Sequence, residues 1–314
     1  MSNFQVYRKI LSFSFVIFLI DMLILVILGG FSTLGFVIGG SNTSASLVGL
    51  AIGLVLGLIA TALINIFVKN RVRAAQISII NKGVTEGSIP EHAFKEGFNE
   101  IRGRFSKITV FFFITYAIKG IFRQIGRGFT RVGRMVGGSA GESTTSIIDS
   151  AIQILIGYLC DCCLGWVLFR KEQNSAKAAC EGAVIFFKHG KTLIRNIGRI
   201  FGMGLLSFVV IGGAFGGGLY AIFYANPQIF QPLSDAIASV DGPALEPQII
   251  GIIVAVFGAM VIWTMLHTVL VRPFILVGVM RNYMKAGIEN MPKEADFSEL
   301  DKMSSRFARL HSSF

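Results

Sequence analysis

Apolar residues run along this chain in long blocks separated by shorter polar and charged stretches. Five blocks reach the roughly 20 residues that a helix needs to cross hydrocarbon: Ile10–Gly30, Ala45–Val68, Ile147–Phe169, Ile200–Tyr224 and Ile249–Val271. A sixth, Ile108–Phe122, is short. Without it the next three blocks would cross in the wrong sense. The pattern therefore predicts an all-α, polytopic membrane helical bundle of about six transmembrane helices, over 10–30, 45–68, 108–122, 147–169, 200–224 and 249–271. Residues 1–290 form the membrane domain and 291–314 an amphipathic cytoplasmic tail.

The stretches between the blocks also have helical signatures. Segment 70–105 mixes polar and apolar residues and contains Ser88-Ile-Pro-Glu91, whose serine and glutamate can satisfy free amides at a helix start. Ala176, Ala179, Ala183, Phe186 and Phe187 recur at helical spacing within 171–199. Four prolines between Pro227 and Pro247 argue against long regular structure there. Pro273 predicts a kinked continuation of the last span over 274–288, and the tail aligns Phe297, Leu300, Met303, Phe307 and Leu310 on one face.

Composition agrees with a bilayer environment: 53% hydrophobic residues, 15% charged residues and a mean hydropathy of +0.66, against roughly half apolar and a quarter charged in soluble domains. All 29 Lys and Arg fall at Arg8/Lys9 or within 69–107, 119–134, 170–199 and 272–309, while 40–46, 135–146 and 225–248 contain none. Cytoplasmic loops are the Lys/Arg-rich ones. Both termini are accordingly placed on the cytoplasmic side of an inner membrane, and anionic lipid, rather than nucleic acid, accounts for the net charge of +11. The block at Ile10–Gly30 exceeds a signal-peptide core and lacks a small-residue cleavage motif, so it reads as an uncleaved span.

Lys119, Arg123, Arg127, Arg131 and Arg134 are spaced four, four, four and three apart, which makes one helical face basic. On the helical rise, Lys119 and Arg123 stand roughly 18–24 Å beyond Lys107, within or at the edge of hydrocarbon. Cations at that depth line a bundle interior, where they can hold an anion or lipid headgroup. Alternatively they snorkel from an interfacial helix to outer-leaflet headgroups. Asp21 and Asp161 are the buried acids, as partners of that face or as coupling-ion ligands, and Asp21 lies at the depth to pair with Lys119. Ser146-Ile-Ile-Asp149 reads as a second capping box.

Gly49, Gly53 and Gly57, like Gly212/Gly216 and Gly213/Gly217, form G-x-x-x-G faces for close helix packing within the chain or between copies. Cys160, Cys162, Cys163 and Cys180 read as small packing residues, because His189 and His267 are isolated and no tetrahedral metal set can be assembled. No nucleophile stands beside a base in a recognisable motif, so no enzymatic activity and no cofactor are expected.

Asn81-Lys-Gly with Phe94-Lys-Glu-Gly-Phe98, Ser175-Ala-Lys-Ala-Ala179 with Asn196-Ile-Gly198, and Arg281-Asn-Tyr-Met-Lys-Ala-Gly287 give the chain a resemblance to six-span bacterial and archaeal membrane proteins. These are similar in style to the membrane domains fused to glycerophosphodiester phosphodiesterases. The resemblance implies the six-span layout and no catalytic residues. The leading expectation is an interaction or assembly component of a membrane complex, with lipids, protein partners or further copies meeting its glycine faces and cytoplasmic helices. The alternative is a transporter or channel for an anionic solute or lipid, using the 119–134 face.

Overall fold

The computed structural model describes residues 1–40, 43–105, 110, 112–124, 142–194, 197–238 and 246–313. It is all-helical, 90% helix with no strand among the described residues. Four helices are long and apolar enough to cross a membrane: Asn3–Ile38, Ser44–Thr85, Gly198–Ala225 and Pro247–Glu289. Gln153–Phe169 is a shorter apolar helix. The chain divides into two units, Met1–Gly198 with Phe274–Phe314, and Arg199–Pro273.

In the first unit, α1 (Asn3–Ile38) and α2 (Thr43–Ile64) form a hairpin. A Cβ on Gly49 would stand 2.1 Å from the Gly35 carbonyl oxygen, and one on Gly53 2.1 Å from that of Phe31. Helix backbones touch here because no side chain intervenes. Gly57 lies against Leu28 and Phe31 of α1. The hairpin's remaining surface is exposed and apolar, as at Val26, Leu34, Val48 and Ile59, which suits hydrocarbon.

A π-turn at Asn65–Lys69 joins α2 to α3 (Asn70–Thr85) without a break. This 42-residue rod is about 63 Å long at 1.5 Å per residue, twice the roughly 30 Å of hydrocarbon. Burial changes along it. Ile66–Val68 and Arg71 are exposed, whereas Val72 and Ala74–Asn81 are buried. α3 is the centre of a protein-packed layer with α4 (Ala93–Arg104), α5 (112–124), α6 (Glu142–Phe169), α7 (Ser175–Ile194) and the part of α12 (Arg272–Glu289) from Phe274 on. Tyr158–Leu168 of α6 is buried throughout.

Several buried polar groups within this layer find partners across helices. Gln76 Nε2 donates to Ser14 Oγ at 3.0 Å, Asn81 Nδ2 to the Gly165 carbonyl at 3.1 Å, Trp166 Nε1 to Glu181 Oε2 at 3.0 Å and the Tyr283 hydroxyl to the Gly182 carbonyl at 2.6 Å. Left unmade, each bond would cost about 1–3 kcal/mol.

Two expected helix starts are corrected. α4 begins at Ala93, not after Ser88, because Gly87 with φ +70° and the following Pro90 hold 86–92 as a turn. Ser146 and Asp149 fall inside α6, which begins at Glu142.

The tail is two helices, α13 (Glu294–Met303) and α14 (Ser305–His311), packed on α7. Ser304, extended at φ −141°, caps α14 by accepting from the Phe307 amide at 3.1 Å. Helical phase restarts there, so Phe297, Leu300, Phe307 and Leu310 are buried while Met303 turns outward. The amphipathic face expected for lipid or for the protein's own helices is covered by the latter.

The second unit pairs α8 (Ile197–Ser207), from Arg199 on, and α9 (Gly213–Ala225), joined by a π-turn at Phe208–Gly212, with α11 (Pro247–Leu266). A π-turn at His267–Val271 follows. Gly251 and Gly258 fit against Phe230 and Leu219. Of the α9 glycines, Gly216 faces Ala259, whereas Gly213 and Gly217 have open space, and Gly212 meets only the Phe208 ring. The proline-rich connection holds a 3-10 turn, Pro227–Phe230, and one short helix, α10 (Gln231–Ala238).

A candidate anion site where the second helix leaves the apolar region

Lys69 closes the apolar part of the α2–α3 rod, and Arg73 follows one turn later, so both cations project from one face of the helix. Lys69 pairs with Asp21 of α1, and Arg73 pairs with Asp161 of α6. Asp21 therefore meets Lys69 and not Lys119, because the antiparallel hairpin brings the middle of α1 alongside the end of the second apolar run. Asp161, nearly buried, lies on the α6 face that packs against α3.

α5 supplies the third wall. The Phe112 ring meets Phe67 edge-on at 5.5 Å, and Phe122 meets Phe186 of α7 at 5.5 Å. Gln124 at its end donates to Ser305 Oγ at 3.1 Å and accepts from Ser304 Oγ and the Arg306 amide at 3.0 and 3.2 Å. α5 thus descends from the level of the second apolar helix to the C-terminal tail, in the same sense as α3.

Between α3, α5 and α6 lies a cavity of about 30 Å³ lined by Asn70, Arg73, Thr115, Lys119, Cys160 and Asp161 among others. This is room for one oxygen-sized group. Thr115 Oγ1 is buried and has no hydrogen-bond partner among the described residues. Lys119 lines this cavity from an exposed position, and Arg123, one turn on, is exposed and outside the lining. Arg127, Arg131 and Arg134 lie outside the described residues. The sequence reading overlooked Asn70, Arg73 and Thr115. Their signal was present in Lys69 and Arg73, a four-residue cation spacing at the end of an apolar run.

A second charged group joins α4 to the α6–α7 turn. Glu100 receives Lys82 at 2.7 Å and Lys171 at 2.6 Å, and Arg104 Nη1 donates to the Lys171 and Gln173 carbonyls at 2.9 and 2.7 Å. Burial alone would push the Glu100 carboxyl up. The hydrogen bonds and charges of Lys171 and Lys82 outweigh it and hold the group below its ordinary value.

In the second unit, Ser207 Oγ accepts from Trp263 Nε1 at 3.2 Å, donates to the Gly204 carbonyl at 2.7 Å and lies 2.9 Å from His267 Nδ1. Ser207 thus ties α8 to the end of α11 and the π-turn after it through Trp263 and His267. The four cysteines are buried free thiols, and among the described residues no cluster of His, Cys, Asp and Glu could hold a metal ion.

No protein family, curated protein or solved structure matches the chain.

Proposed function

We propose that this chain is a non-enzymatic integral membrane protein, an assembly component that fixes a packed helical layer to the cytoplasmic face of an inner membrane. One observation carries the reading. The α2–α3 rod passes without interruption from an exposed apolar surface into a buried protein core, so the layer is held rigidly and not on a tether. Partner proteins or further copies would meet the outer surfaces of α4 and α7.

The topology belonging to this reading has four crossings: α1, α2, α8–α9 and α11, with both termini cytoplasmic. Its two outer connections, 39–46 and 225–248, contain no Lys or Arg, and all 29 positive charges fall on the inner side. Six crossings would instead send Arg123 and the arginines after it to the outer surface, against the positive-inside rule and against the direction of α5. In the four-crossing reading α5 and α6 belong to the cytoplasmic layer, where Ile114, Ile118, Ile121 and Phe122 of α5 and Tyr158–Leu168 of α6 face protein.

Single cysteines in a background without the four native ones, labelled with a membrane-impermeant thiol reagent, test the topology. Arg123→Cys and Glu142→Cys should label from the same side as Ser313→Cys, and Asn226→Cys from the other. Labelling of Glu142→Cys from the Asn226 side would restore six crossings.

The small charged cavity favours a second reading, transport of an anionic solute. Proteoliposome flux separates the two. The assembly reading expects no chloride or phosphate flux above empty vesicles, and flux lost in Lys119→Gln would replace it with transport.

A further inference from the structure

We infer that the cavity between α3, α5 and α6 is the seat of one phosphate oxygen of an anionic phospholipid from the cytoplasmic leaflet. The inference rests on the four-crossing reading, which puts the Lys69–Arg73 turn at the level of inner-leaflet headgroups.

Four features define the ligand. The cavity presents two cations, Arg73 and Lys119, against one carboxylate, Asp161, which is already engaged by Arg73. An anion is therefore matched by charge, while Asp161 keeps the site from holding more than a single net negative charge tightly. Thr115 offers a buried hydroxyl with no partner among the described residues, a donor waiting for an acceptor oxygen, and such a group is costly if left unused. The free volume of about 30 Å³ admits one oxygen or a monatomic ion and excludes a whole phosphate. The rest of the phosphate must stay at the mouth, as it does when a phosphodiester is held from a bilayer.

The surroundings are those of a lipid. On the same helix, Phe113 and Tyr116 are 61% and 72% exposed, about two turns and one turn before Lys119. Phe67 is exposed across from them, at the end of the second apolar helix. An acyl chain can lie along these rings while its phosphate reaches Lys119, and a freely diffusing anion would have no use for them. Arg123, exposed one turn beyond Lys119, repels the ammonium of a zwitterionic headgroup, so the site selects phosphatidylglycerol-type lipids over phosphatidylcholine.

Native mass spectrometry of the full chain, titrated in mild detergent with phosphatidylglycerol and separately with phosphatidylcholine, tests this. Phosphatidylglycerol should bind tighter, and Lys119→Gln should weaken it roughly fivefold, the effect of one surface cation on an anionic lipid. Thr115→Val, which keeps shape and removes the donor, should weaken it similarly, and Arg309→Gln on the tail should not. Equal binding of the two lipids, or full affinity in both Lys119→Gln and Thr115→Val with unchanged melting temperatures, overturns the site. Displacement of phosphatidylglycerol by millimolar inorganic phosphate would assign the cavity to a free anion and overturn the lipid. Preference retained while Arg123→Cys labels from the outer side would remove the four-crossing reading and support the site alone.

Discussion

Gly49 sits directly over Gly35, each glycine's missing Cβ falling 2.1 Å from the other's carbonyl oxygen. No rotamer relieves a clash with backbone, so alanine at position 49 must push two helices apart. We expect Gly49→Ala to cost about 1–3 kcal/mol, read as a lowered midpoint of thermal unfolding in detergent, whereas Gly217→Ala, with open space around it, leaves the midpoint unchanged within the second unit.

Arg73 and Asp161 are joined where α3 meets α6. Asp161→Asn leaves a guanidinium facing the cavity beside Lys119 without its carboxylate, and removing the buried partner of this partly exposed cation costs about 1–3 kcal/mol. The double variant Arg73→Met/Asp161→Leu should recover most of that loss. If the double variant is the less stable of the two, the pair is a net stabiliser and not a matched set of charges.

Glu100 is held below its ordinary value by Lys171 and Lys82. A depressed carboxylate stabilises the fold above its unfolded pKa of about 4. That stabilisation is lost as the pH falls through the lower folded value. The wild type should therefore lose stability on acidification below about pH 4, and Glu100→Gln should be less stable at neutral pH with a shallower acid loss. Melting temperatures across pH 3–7 check both slopes.

Phe307 and Leu300 are fully buried between the tail and α7. Phe307→Ala should cost about 3–5 kcal/mol and expose the 290–293 connection to limited proteolysis. Met303→Ala, on the outer face, should stay within about 0.5 kcal/mol.

Much of the helical architecture was legible in the sequence, because apolar runs of 20 residues have few other uses. The α1–α2 glycine contact could be foreseen on its α2 side, where Gly49, Gly53 and Gly57 recur every fourth residue. Hydropathy does not distinguish a face against lipid from a face against protein. Ile114, Ile118, Ile121 and Phe122 look like span residues and are buried by neighbouring helices, and Tyr158–Leu168 of α6 is the same case. Conversely, Gln76, Ser78 and Asn81 give α3 a polar pattern, while the structure buries all three and pairs Gln76 with Ser14 of α1 and Asn81 with the Gly165 carbonyl of α6. Pairings such as Asp21–Lys69 and Arg73–Asp161 depend on which helices lie side by side, which spacing along one helix cannot reveal.

The π-turn at Asn65–Lys69 holds one residue more than the α-helical turn it replaces. The side chains beyond it are therefore rotated relative to those before it, while the hydrogen-bonded column continues. A straight α-helix would carry the lipid-facing stripe of α2 directly into the core around Ile77 and Ile80. The extra residue works as a gear between two surfaces of different chemistry. It lets α2 keep its seam on α1 while α3 addresses α4 and α6. A twist applied to the apolar hairpin would reach the packed layer as rotation of one shaft.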